Sequence, residues 1–196
     1  MSDSAQYRTA LEPFRAPLRP ASVPWLQLCE QRGLAFITVR GQLAADDIRQ
    51  AYASLGLFPP PALGMTQAGE CRLLWLSPNE CLLLCPLAAQ EHWLTRLRAA
   101  FAGCFAAVVD TSGTFSCVEL HGSDAATCLA KVCHYDFSGR NFPVGKVVTS
   151  VIKGIPCQFI RMEQGVIRVL MRYSFAHYLY RLLTHAAAEF QNPGRQ

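Results

Sequence analysis

The sequence has no Cys-x-x-Cys pair, no Gly-x-Gly-x-x-Gly and no Gly-x4-Gly-Lys-Ser/Thr loop. These absences remove the signals for a zinc ribbon, a redox dithiol, a dinucleotide fold and a P-loop made by this chain. Charge is scarce: 16% of the 196 residues are Asp, Glu, Lys or Arg, and 18 basic against 14 acidic side chains leave a net +4. So few charges beside 51% hydrophobic residues exclude intrinsic disorder for most of the chain. The basic residues form no tract. Their densest group, Arg161, Arg168, Arg172 and Arg181, is interleaved with apolar strand and helix residues. A nucleic-acid binder shows a basic stripe joined to a recognition motif, so nucleic acid is not an expected partner. No apolar run reaches the roughly 18 residues a membrane helix needs, and the opening residues lack a basic-then-apolar signal pattern. The expectation is a soluble, cytoplasmic chain without a membrane partner.

Cysteine is what the chain has in excess. The nine are odd in number and sit in apolar surroundings such as Leu82-Leu83-Leu84-Cys85. On a strand, Cys81 and Cys85 would share a face but stand about 13 Å apart, too far to chelate one ion. Reduced, buried thiols of a cytoplasm-like compartment are the expected reading. The apolar surplus serves either a dense core or a face covered by a partner, because lone monomers seldom expose large apolar patches.

Prolines 13, 17, 20 and 24 mark residues 1–24 as an extended N-terminal arm, dotted with Leu11, Phe14 and Leu18, that could dock on another surface. Two lobes of similar plan follow, 25–105 and 106–190, with 191–196 as a tail. In the first lobe a strand over Leu34–Arg40 ends at Gly41, and a helix spans about 44–55 with Asp46 and Asp47 in its first turn. A loop over 56–69 leads to a hairpin, Cys71–Leu76 and Cys81–Cys85, and a helix over about 88–102 with Trp93, Leu97, Ala100 and Phe101 on one face. In the second lobe a strand at Ala106–Val109 and another at Phe115–Leu120 lead to Gly122, with Ser123 as N-cap of a helix to about Cys133. A strand at Val147–Ile152, a hairpin of Pro156–Met162 and Val166–Met171, and a closing helix complete the lobe. Phe175, Tyr178, Leu179, Leu182, Leu183, Ala186 and Phe190 form that helix's apolar stripe, flanked by His177, Arg181, His185 and Glu189. Matching Gly41 to Gly122 and Cys71 to Cys157 aligns the halves. The fold class is α+β: two similar strand–helix–hairpin–helix lobes with largely antiparallel sheets.

No constellation reads as a reactive centre. Cys133-His134-Tyr135-Asp136 offers catalytic residue types, but sequence neighbours point apart, and a helix end accounts for them. Asp110-Thr111-Ser112 could supply a base or an amine-binding carboxylate, yet these residues with Gly113 are favoured turn formers. His121, His134, His177 and His185 are dispersed, and no metal site is expected. Trp25, Trp75 and Trp93 could stack on a cofactor, but tryptophans in apolar elements usually serve the core.

From Val108 onward the chain resembles a known family. Val108-Val109-Asp110-Thr111-Ser112, Leu120-His121-Gly122-Ser123-Asp124-Ala125, Leu129-Ala130-Lys131, Asp136, Phe142-Pro143-Val144-Gly145 and Arg172-Tyr173-Ser174-Phe175-Ala176-His177-Tyr178-Leu179 look like the matching stretches of sarcosine oxidase gamma subunits. Upstream, Leu76-Ser77-Pro78-Asn79-Glu80-Cys81-Leu82-Leu83 is similar to that family's hairpin, and the likeness spans roughly residues 30–190. The resemblance implies a fold related to the folate-binding aminomethyltransferases of the glycine cleavage system. It further implies a cytoplasmic heterotetramer with alpha, beta and delta subunits that oxidatively demethylates sarcosine or a related secondary amine. In that family FAD, FMN, NAD and tetrahydrofolate belong to the large subunits and zinc to the delta subunit, so no cofactor is expected on this chain. No catalytic, cofactor-binding or metal-ligating residue is carried over, which implies a non-catalytic subunit. Lys131-Val132-Cys133-His134-Tyr135 departs from the Lys-Gly-Cys-Tyr-x-Gly-Gln signature of free-standing folate-binding relatives. The alternative, a stand-alone tetrahydrofolate-binding or one-carbon transfer protein of the same fold, rests on the fold kinship and Asp110.

Overall fold

A computed structural model describes residues 9–14 and 25–190. The first half runs β1 Gln27–Glu30, β2 Leu34–Arg40, α1 Asp46–Ser54, β3 Met65–Ala68, β4 Cys71–Ser77, β5 Glu80–Pro86 and α2 Gln90–Ala100. The second repeats this order as β6 Ala107–Asp110, β7 Phe115–His121, α3 Ala125–Ala130, β8 Val147–Ile152, β9 Ile155–Glu163, β10 Val166–Arg172 and α4 Ala176–Ala187. The strands build two five-stranded antiparallel sheets, ordered β3-β4-β5-β2-β6 and β8-β9-β10-β7-β1. The orders correspond strand for strand, with one reciprocal exchange. β1 leads into β2 but pairs with β7, while β6 leads into β7 but pairs with β2.

Alternation along the strands explains the layering. In β5, Cys81, Leu83 and Cys85 face α1 and α2, whereas Leu82 and Leu84 join Phe36, Leu74, Phe115, Ile160 and Leu170 between the sheets. In β10, Ile167, Val169 and Met171 face α3 and α4. Both faces of each sheet are therefore covered, and the central strands read as continuous apolar runs. The sheets lie face to face, with one helix pair outside each.

Gly122 makes the exchange possible. Its φ is +130°, and a Cβ there would lie 2.0 Å from the Trp25 carbonyl oxygen. That carbonyl accepts a hydrogen bond from the Asp124 amide at 3.0 Å, which ties the entry of β1 to the end of β7. Only glycine combines that backbone with that approach. A second tie joins the repeats: Met65 N donates to Gly145 O at 3.1 Å, and Val147 N donates to Leu63 O at 2.8 Å.

Five local expectations are corrected. Residues 56–69 contain an edge strand, β3, whose half-exposed face carries no apolar alternation. β1 is a further strand, recognisable only through its distant partner β7. Ser123 does not cap α3: Asp124 holds that position without a side-chain bond, and the helix stops at Ala130. On α2, Leu94 and Leu97 are buried while Trp93 packs at the margin. Finally, Phe175 and Tyr178 are exposed, and Tyr180 joins Leu179, Leu183 and Ala186 in the core. Residues 173–175 form a 3-10 turn, which breaks the phase that counting from Phe175 assumes.

Of the N-terminal arm, 1–8 and 15–24 lie outside the described residues, as does the tail 191–196. The stretch 9–14 is not extended throughout: Glu12–Phe14 form a 3-10 turn, and Ala10 and Leu11 are buried in the core beneath α4. Phe14 packs edge-on against His177, with ring centroids 5.1 Å apart, and lies beneath Arg181. This part of the arm therefore supports the chain's own fold.

Candidate functional site

The residues singled out for chemistry are engaged in structure. Asp110, at the end of β6, accepts hydrogen bonds from the Ser112 amide at 2.9 Å, the Ser112 hydroxyl at 2.7 Å and Gln90 Nε2 at 2.7 Å. Ser112 in turn accepts from the Phe36 amide, and Thr111 donates to the Phe36 carbonyl. This is a side-chain-built turn. Burial pushes the Asp110 carboxyl up, but the Ser112 and Gln90 bonds and the nearby Arg98 outweigh it and hold the group below its ordinary value. A carboxylate so held is a weak base at neutral pH.

The shift carries a pH signature. Because the folded value is depressed, the stabilisation is complete above the unfolded carboxyl's ordinary range and is lost as pH falls through the folded value. Asp110→Asn is expected to destabilise the chain by about 1 kcal/mol at pH 7, modest because the group is exposed. The difference from wild type should shrink as pH falls below the ordinary carboxyl range, and urea midpoints at pH 7 and pH 3 check it.

The Cys133–Asp136 stretch does not converge. Cys133 is buried, with Sγ 3.5 Å from the Ser150 hydroxyl. His134 is exposed, Tyr135 donates to the Asn141 carbonyl, and Asp136 accepts from the Ser138 amide at 2.8 Å. All nine cysteines are free and eight are buried. Desolvation pushes the Cys81, Cys85, Cys117 and Cys157 thiols up to about 12, so they are not thiolates near neutral pH. Among the described residues no three His, Cys, Asp or Glu side chains converge as for a metal ion. Trp75 and Trp93 pack against the core of the first sheet. No helix among the described residues is long and apolar enough to cross a membrane.

Sequence reasoning missed the buried charges. Arg168 on β10 lies directly opposite Glu119 on β7 and donates Nε to Oε1 at 2.8 Å, with a terminal nitrogen on the same oxygen. His121 meets Oε2 at 3.0 Å. Arg72, from the other sheet, contributes a second positive charge, with Nε buried and unbonded. Burial, then Arg168, pulls its guanidinium below its ordinary value, and Glu119 partly offsets them. A different arginine, Arg161 on β9, is 6% exposed. The signal was present: each charge interrupts a strand that is apolar on both sides, where both faces are buried.

Two surface features remain open. At the margin of the first sheet, β6 has no outer strand partner among the described residues. Phe105 just before it is 100% exposed, and Val109 on it is 48% exposed. Phe105, Ala106, Ala107 and Cys104 line a cleft of about 830 Å³ with Arg40 and Asn79. At the corresponding end of the second sheet lies a smaller cleft of about 450 Å³, lined by Arg161, Ser123, Gln164 and the His121-Gly122 corner.

Residues 40–189 match the model of the sarcosine oxidase, gamma subunit family. The sarcosine oxidase subunit gamma of Corynebacterium sp. (strain U-96) is 32% identical, over 97% of this chain and 95% of its own length. The Arthrobacter sp. sarcosine oxidase subunit gamma is 32% identical over 72% of this chain and 70% of its own. In structure, the chain is similar to a chain of the heterotetrameric sarcosine oxidase from Corynebacterium sp. U-96 in complex with pyrrole 2-carboxylate, at TM-score 0.84 and 24% identity, covering 97% of this chain and 99% of that one. It also superposes on the glycine cleavage system aminomethyltransferase T from Bartonella henselae, at TM-score 0.61 and 14% identity, with 82% of this chain on 45% of that chain. The α+β fold of two antiparallel five-stranded sheets is thus aminomethyltransferase-like.

Proposed function

The chain belongs to the sarcosine oxidase gamma subunit family, and we propose that it is a non-catalytic subunit of a heterotetrameric sarcosine oxidase-type flavoenzyme. Its partners are the alpha, beta and delta subunits, and the assembly oxidatively demethylates sarcosine or a related secondary amine. FAD, FMN, NAD and tetrahydrofolate belong to the large subunits and zinc to the delta subunit. A cytoplasmic location belongs to the same reading and is supported by nine unpaired cysteines.

The observation that carries a subunit role is the unpartnered edge of β6. A strand edge with a fully exposed phenylalanine and an apolar cleft beside it is a liability in a free monomer. It is what an interface needs: an aromatic anchor and a row of free backbone donors and acceptors. The stand-alone folate reading leans on Asp110, whose carboxylate is already committed to its turn. The test is direct. The purified chain should show no flavin absorbance and no sarcosine-dependent peroxide production, and either property in the isolated chain would overturn the non-catalytic role.

A further inference from the structure

Arg161 is the charge the fold leaves unbalanced. It is 6% exposed and forms no ion pair among the described residues. Its Nε donates to the Phe142 carbonyl at 3.3 Å, and the guanidinium lies 5.7 Å from the centre of the Phe142 ring. Those contacts use one of five N–H donors. By contrast, the equally buried Arg168 has Glu119 opposite it. A buried cation without a counter-charge is expensive, and an arginine cannot relieve the cost by losing its proton.

What surrounds Arg161 gives that cost a purpose. It lines the cleft of about 450 Å³ together with Ser123 and Gln164. The Ser123 hydroxyl and the Gln164 amide make no hydrogen bond among the described residues, so three side chains with donors to spare border one space. No Asp or Glu lines it; Asp124 and Glu163, adjacent in sequence to Ser123 and Gln164, do not. The volume falls in the range of small-molecule sites, roughly 300–1,000 Å³. The related cleft at the end of the first sheet has exposed Arg40 and no buried cation, so the feature belongs to the second repeat alone.

We propose that the cleft bordered by Arg161, Ser123 and Gln164 binds a small oxyanion, a carboxylate or a phosphate, with the Arg161 guanidinium as its counter-charge. The planar fork of the guanidinium suits either group, and the hydroxyl and amide supply further donors at the rim. Every residue that lines the cleft belongs to this chain, so the chain alone suffices to test it.

The experiment titrates the full chain with sodium acetate and, separately, sodium phosphate at constant ionic strength held with sodium chloride, read by calorimetry and by thermal melting. Saturable binding of one probe is expected, with a matching rise in melting temperature, and the probe that saturates tells carboxylate from phosphate. Arg161→Met should weaken that binding by about tenfold or more, as the loss of charge-assisted hydrogen bonds does. Ser123→Ala and Gln164→Ala, both at exposed positions, should weaken it by roughly threefold each. They decide the matter if Arg161→Met does not fold. If neither probe saturates on wild type, or if the exposed-site variants bind as wild type does, the site is not an anion site.

Discussion

Replacing Glu119 with glutamine is expected to lower the unfolding free energy by about 3–5 kcal/mol, the cost of breaking a buried ion pair from one side. The reason lies between the sheets. Glu119 accepts both nitrogens of Arg168 and approaches His121, and it is the carboxylate that offsets Arg72 as well. A neutral amide would leave two guanidinium groups facing each other in a space lined by Phe36, Leu74, Leu82 and Leu170. Removing both members of the pair, as Glu119→Leu with Arg168→Met, should cost less than Glu119→Gln alone, because Arg72 is then the one guanidinium left there without the carboxylate rather than one of two. Denaturant midpoints of the single and double variants measure the difference. Equal or greater loss in the double variant would mean that the pair matters for its packing rather than its charge.

Leu183→Ala is the other large effect, roughly 2–5 kcal/mol, as for truncation of a buried leucine. Leu183 is fully buried on α4, where it packs in the cluster that holds Leu129, Phe159, Val169 and Leu11. Two positions earlier, Arg181 is exposed and covers the Phe14 ring at 5.4 Å. An exposed cation–π contact contributes about 0.5–1 kcal/mol, so Arg181→Ala should melt close to wild type. Thermal melting of both variants separates the inner face of α4 from its outer one. If Leu183→Ala melted like wild type, the helix register and its place in the second repeat would be wrong.

The repeat was legible because it is written in residues that strands and turns require. Gly41 and Gly122 end equivalent strands, and Cys71 and Cys157 begin equivalent ones, β4 and, within a residue or two, β9. The closing helix was legible from Leu179, Leu183 and Ala186, whose spacing survives any error at its start. The exchanged edge strands were not. Gln27–Glu30 is four residues long, and its pairing with His121 to Val118 depends on contacts from the far half of the chain. Local pattern cannot specify such a strand, since its stabilisation comes from its partner. The buried charges were missed for a related reason. An arginine in a strand reads as solvent-facing until both faces of that strand are known to be covered, as they are for Arg168 and Arg161. The turn at Asp110 was legible because Asp, Thr and Ser before Gly113 carry turn chemistry in their own side chains.

The measurement that bears most directly on the subunit role is affinity purification of the tagged chain from cells that express the full set of large subunits, in wild type and in Phe105→Asp. Phe105 is fully exposed, so a carboxylate there should leave the unfolding free energy of the chain within about 0.5 kcal/mol of wild type. Wild type should bring down flavin-bearing partners, and the eluate should produce peroxide from sarcosine or a related secondary amine. Phe105→Asp should retain its fold and lose most of that partner recovery, because a charge placed at an apolar anchor is desolvated without a counter-charge on assembly. Wild type that purifies alone from such cells would contradict the subunit role, and equal partner recovery by Phe105→Asp would contradict the placement of the interface on β6.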